Sequence, residues 1–65
     1  MRLSALKRRL RHTQSVGVSD HTGYCGIYGQ PMLYVALSQS RVLSVGAPCG
    51  VARRFAARAV AGLEG

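Results

Sequence analysis

Met32-Leu33-Tyr34-Val35-Ala36-Leu37, then Ser38-Gln39-Ser40, then Arg41-Val42-Leu43-Ser44-Val45 up to Gly46, and finally the run from Val51 to Leu63: this stretch decides the fold. Two short apolar runs split by a polar break predict a hairpin, and strands so close in sequence pair antiparallel. After Ala47-Pro48 the apolar spacing changes from two to three and four. Val51, Ala52, Phe55, Ala56, Ala59, Val60 and Leu63 then share one broad helical face, with Arg53, Arg54, Ala57, Arg58 and Ala61 on the other. Phe55 stands at the centre of that face and is expected to be the helix's most buried side chain. A hairpin and a helix with one apolar face each bury those faces against one another.

Upstream, Tyr24-Cys25-Gly26-Ile27-Tyr28 predicts a third strand, and Gly29-Gln30-Pro31 a turn, since Pro31 donates nothing to a ladder. Thr13 to Gly23, rich in Ser, Thr and Gly, is expected to be a connecting loop in which Val16 and Val18 form a bit of edge strand. From Met1 to His12, Leu3, Leu6 and Leu10 share a helical face amid Arg2, Lys7, Arg8, Arg9 and Arg11. The expected class is therefore α+β: a small three-stranded antiparallel sheet packed on one C-terminal helix, with a short basic N-terminal helix. As one domain it divides into a basic amphipathic arm (1–12), a connecting loop (13–23) and a sheet-plus-helix unit (24–65).

The 65 residues leave room for one core, which at this size buries only about 60% of the unfolded surface. Nine Lys and Arg against two acids, Asp20 and Glu64, give a net charge of +7. That balance favours nucleic acid or an acidic protein surface as partner. No apolar run approaches the roughly 18 residues of a membrane span, and no apolar segment follows the first basic cluster as a secretory signal requires. The expected location is cytoplasmic. An acid-poor, Arg-rich amphipathic start is also the composition of an organelle presequence.

His12, His21, Cys25 and Cys49 are the residues able to bear site chemistry. The three residues between His21 and Cys25 match one half of a zinc site, which Cys49 and His12 would complete, and a Cys25–Cys49 disulfide is a further arrangement. Without a Cys-x-x-Cys pair, both cysteines are expected to be small buried hydrophobes, reduced and metal-free, with no cofactor. Two carboxylates, neither placed beside a histidine other than by chain adjacency, do not compose a general acid–base pair, so no catalysis is expected.

Tyr24-Cys25-Gly26-Ile27 resembles the Tyr-Arg-Gly-Val opening of the plant ethylene-response-factor DNA-binding domain and its integrase-arm relatives. Tyr34-Val35-Ala36 resembles that family's Trp-Val-Ala strand, Val45-Gly46 its Leu-Gly, and residues 52–59 its Ala-rich helix motif. The likeness covers residues 23–63 and implies a three-stranded sheet covered by one helix. It departs where the family reads DNA: Cys25 replaces the first base-contacting arginine, and Arg41 is the one basic residue on the strands. The C-terminal half also resembles the double-stranded-RNA-binding domain, but Pro48-Cys49-Gly50 stands where that family has lysines.

The expected function is that of a small non-enzymatic basic module contacting nucleic-acid backbone through Arg2, Lys7, Arg8, Arg9, Arg11, Arg41, Arg53, Arg54 and Arg58. The alternative is an accessory or inhibitor protein of the phage or mobile-element type, docking onto a larger complex through Tyr24, Tyr28 and Tyr34. A homodimer or a subunit role in a larger assembly fits either.

Overall fold

The computed structural model describes residues 3–64, with side chains through Leu63. Its elements are α1 (Leu3–Lys7), β1 (Arg11–Val18), β2 (His21–Ile27), β3 (Pro31–Ala36), β4 (Val42–Val45) and α2 (Cys49–Glu64). The strands form one antiparallel sheet in the order β1-β2-β3-β4. The class is α+β with the sheet packed on the C-terminal helix, but the sheet has four strands where three were expected.

The additional strand comes from residues assigned to the arm and the connecting loop. Arg11 and His12 belong to β1, and α1 ends at Lys7. Val18 pairs with His21, so Ser19 and Asp20 are a two-residue hairpin turn, with Ser19 at φ 53°. The edge strand expected from Val16 and Val18 is thus a full hairpin arm, and Val18 is among the largest fully buried side chains. His12, also at φ 53°, lies where the β1–β2 register shifts between Arg11 and Gln14. Such a bulge twists the strand and blunts its open edge. At the next turn Gly29 takes φ 69°, a left-handed conformation that glycine adopts without steric cost.

Alternation along the strands sends side chains to opposite faces. Cys25, Leu33 and Val35 face α2 and join Val18, Ala52, Ala56 and Val60 in the main core. Tyr34 faces the other way, where Leu6 and Leu10 cover it and Leu3, Tyr24, Met32 and Val42 pack around them. The sheet therefore carries a helix on each face. The chain between α1 and β1 is drawn in tightly: the backbone N–H groups of Arg9 and Leu10 donate to the carbonyls of Leu6 and Lys7 at 3.1 Å each, and the Thr13 hydroxyl donates to the Leu10 carbonyl at 3.2 Å.

Helix α2 is rotated from the expected phase. Phe55, expected at the centre of its buried face, is 60% exposed, and Val51 and Leu63 are exposed with it. The buried line is Ala52, Ala56 and Val60. At about 3.6 residues per turn these lie on the same side of the helix as Cys49. Cys49 is bonded to Cys25 on β2 across a Cα separation of 5.7 Å. One rotation therefore serves both the crosslink and the packing, and the alanines let α2 settle closely on Leu33 and Val35. The two cysteines, expected to be reduced, form a disulfide.

Candidate functional site

The eight described basic residues of the expected binding set (Lys7, Arg8, Arg9, Arg11, Arg41, Arg53, Arg54 and Arg58) are all solvent-exposed; Arg2 lies outside the described residues. Among the described residues no carboxylate is paired with any of them. They do not converge on one groove. Lys7, Arg8 and Arg9 belong to α1 and the segment just after it, Arg11 opens β1, and Arg53, Arg54 and Arg58 ride on α2, which packs on the opposite sheet face. Arg41 is in the β3–β4 loop, where its carbonyl accepts from the N–H groups of Leu37 and Ser38 at 3.0 and 3.3 Å.

Two basic side chains already engage the protein itself. Lys7 Nζ lies 4.7 Å from the Tyr24 ring centroid, a cation–π interaction that ties α1 to β2. Arg53 Nη2 donates to the Gly17 carbonyl at 3.3 Å, reaching from α2 to β1. This bond is exposed and contributes little stability, yet it directs one guanidinium towards the protein.

The three tyrosines do not form the expected exposed aromatic face. Tyr34 is 8% exposed beneath Leu6 and Leu10, and Tyr24 is half-buried in the same cluster. Tyr28, in the β2–β3 turn, is exposed. The physical reason is the amphipathic arm: once its leucines fold back over the sheet, the aromatic face becomes a second small core. The sheet face that the resemblance to the DNA-binding domain would turn outward is thereby covered by α1.

Besides Tyr28, a second aromatic side chain is presented to solvent, one the sequence reading had placed in the core. Phe55 and Val51 stand one turn apart on the outer side of α2, and with Arg54 and Arg58 they line a hollow of about 200 Å³. The available signal was the placement of Phe55 among three arginines, on a helix whose alanines alone suffice to face the sheet.

His12, His21, Cys25 and Cys49 do not assemble as a metal site. The disulfide takes both sulfurs, and among the described residues no group of three or more His, Cys, Asp or Glu is placed to hold an ion. A hollow of about 750 Å³ is lined by Leu3, Ser4, Ala36, Ser38, Gln39 and Ser40, none of them an ordinary acid or base. Among the described residues, no helix is long and apolar enough to cross a membrane. The arrangement is thus a four-stranded meander between two helices with cationic side chains on both faces. The chain matches no family model, no curated protein and no solved structure.

Proposed function

We propose that this protein is a small, non-enzymatic basic module that binds nucleic acid through its phosphate backbone. The observation that carries this reading is the set of eight exposed cations without a carboxylate partner among the described residues. A net charge of +7 on so small a body favours anionic partners, and a phosphate chain that meets these cations releases its own counterions. Their distribution over both faces suits backbone contact without base readout, because phosphate contacts carry no sequence information.

The disulfide supports a compartment more oxidising than the cytoplasm expected from the sequence. A Cys25–Cys49 bond persists where thiols are oxidised and is opened in a reducing cytoplasm. The module would hold its oxidised form outside such a compartment.

The decisive measurement is affinity for a generic duplex across a salt series. The logarithm of the binding constant is expected to fall linearly with log salt, by about 0.9 per phosphate contact, with no preference among sequences. Salt-insensitive binding, or none, would refute the proposal. An acidic protein surface is the second reading, favoured by the exposed Val51 and Phe55; a stoichiometric complex from lysate that survives nuclease would support it.

A further inference from the structure

The outer side of α2 combines two features that backbone binding does not explain. Phe55 is 60% exposed and Val51 44% exposed, and unlike the other exposed large apolar side chains, Ile27, Tyr28 and Leu63, they line a hollow together with two guanidinium groups. Phosphate contact needs the arginines but not the ring. We infer that Val51, Arg54, Phe55 and Arg58 form a seat for one unstacked base of a single-stranded nucleic acid, with the base on the Phe55 ring and the flanking phosphates on Arg54 and Arg58. This assignment rests on the nucleic-acid reading above and names the form of nucleic acid preferred.

The hollow they line, about 200 Å³, accommodates a single planar ring. An exposed ring offers its face to any base, and the neighbouring guanidinium groups meet the strand entering and leaving that base. Charge complementarity points to a polyanion: the patch contains Arg54 and Arg58 and no acid. A docked partner helix would need apolar anchors continuing at about i+7 and i+11 from Val51; those positions are Arg58 and Gly62, and the exposed Leu63 lies about 80° round the helix from Phe55. The same interruption leaves too little apolar surface for insertion into a lipid interface. A second copy would bring Arg54 and Arg58 against their own counterparts.

The test uses the oxidised 65-residue chain and three probes: oligothymidine, a duplex of equal length, and inorganic polyphosphate, which has the charge without bases. Wild type is expected to bind oligothymidine more tightly than the duplex. Phe55→Ala and Phe55→Leu should each weaken oligothymidine binding by about tenfold or more while leaving polyphosphate binding unchanged; Phe55→Trp should restore it, with quenching of indole fluorescence on binding. Arg54→Gln with Arg58→Gln should weaken all three probes. Phe55 is exposed, so melting curves of its variants should overlay that of wild type and exclude unfolding as the cause. If Phe55→Ala binds oligothymidine as wild type does while the salt slope persists, the base seat is refuted and backbone binding stands. If wild type binds none of the probes, both readings fail. If a Glu-rich peptide with leucines four apart binds wild type but not Phe55→Ala, and oligothymidine binding ignores the substitution, the patch belongs to a protein partner and the inference is overturned.

Discussion

Cys25, in the middle of β2, is bonded to Cys49, the first residue of α2, closing a loop across a sequence separation of 24. The bond spans the two elements that face each other across the core, and the carbonyl of Pro48, immediately before it, accepts the first turn's hydrogen bond from the Ala52 N–H at 2.8 Å. Crosslinking a loop of this length restricts the unfolded chain and stabilises the fold by about 3 to 4 kcal/mol. A domain of this size has little more than that in total. Reduction, or Cys25→Ala with Cys49→Ala, is therefore expected to lower the Tm steeply and leave much of the protein unfolded at physiological temperature. Thiol alkylation followed by mass measurement should detect no free cysteine in the folded protein. A Tm indifferent to reductant would contradict the structural role of the bond.

Leu33 is fully buried beneath α2, whereas Phe55 projects into water. Leu33→Ala should cost about 2 to 5 kcal/mol through reduced burial and the cavity left behind. Phe55→Ala should change stability by no more than about 0.5 kcal/mol, as expected for an exposed position. Urea midpoints of the two variants give the comparison, and a large effect at Phe55 would place the helix in the wrong rotation.

Gly26 marks where the arm crosses the sheet. A Cβ there would meet Leu10 Cβ at 2.6 Å and the Arg11 carbonyl oxygen at 2.9 Å, so backbone has to move. Gly26→Ala is expected to cost about 1 to 3 kcal/mol as an overpacking change. Gly17→Ala, which meets nothing within 4 Å, should be close to neutral. Thermal melts that fail to rank the two in this order would argue against the seating of α1.

The basic arm is both a brace and a source of charge, and the two roles separate by substitution. Leu6→Ala with Leu10→Ala uncovers Tyr34 and should lower the Tm, each leucine costing about 2 kcal/mol or more. Replacing Lys7, Arg8, Arg9 and Arg11 with glutamine should nearly spare the Tm, since it removes only the exposed Lys7–Tyr24 interaction. It should weaken duplex binding and flatten its salt dependence by up to about 0.9 log unit for each phosphate no longer neutralised. Unchanged duplex binding in this variant would remove the arm from the interface.

Ser19 occupies the left-handed region at φ 53° in a two-residue hairpin turn. An L side chain there costs roughly 1 kcal/mol or more, which glycine avoids. Ser19→Gly should therefore raise stability by about 0.5 to 1 kcal/mol, visible as a higher urea midpoint with unchanged m-value. A decrease would mean that the Ser19 side chain contributes more than its backbone conformation costs.

Local pattern determined much of this protein. Alternation in residues 32–37 and 41–45 specified the β3–β4 hairpin, the change of period after Pro48 specified α2, and composition alone fixed the net charge of +7. These are properties of short windows, in which strand and helix differ by the spacing of apolar residues. Tertiary structure decided the rest, because each remaining question turned on which of several apolar surfaces met which. Val16 and Val18 became a strand only because β2 offered a partner ladder, and Tyr34 was buried only because leucines far earlier in the chain folded over it. The rotation of α2 was the subtlest case. The apolar residues from Val51 to Leu63 span more of the helix than the sheet can cover, so periodicity left the phase open. The Cys25–Cys49 bond and the close approach allowed by Ala52 and Ala56 selected one side, and that choice turned Phe55 outward between its arginines.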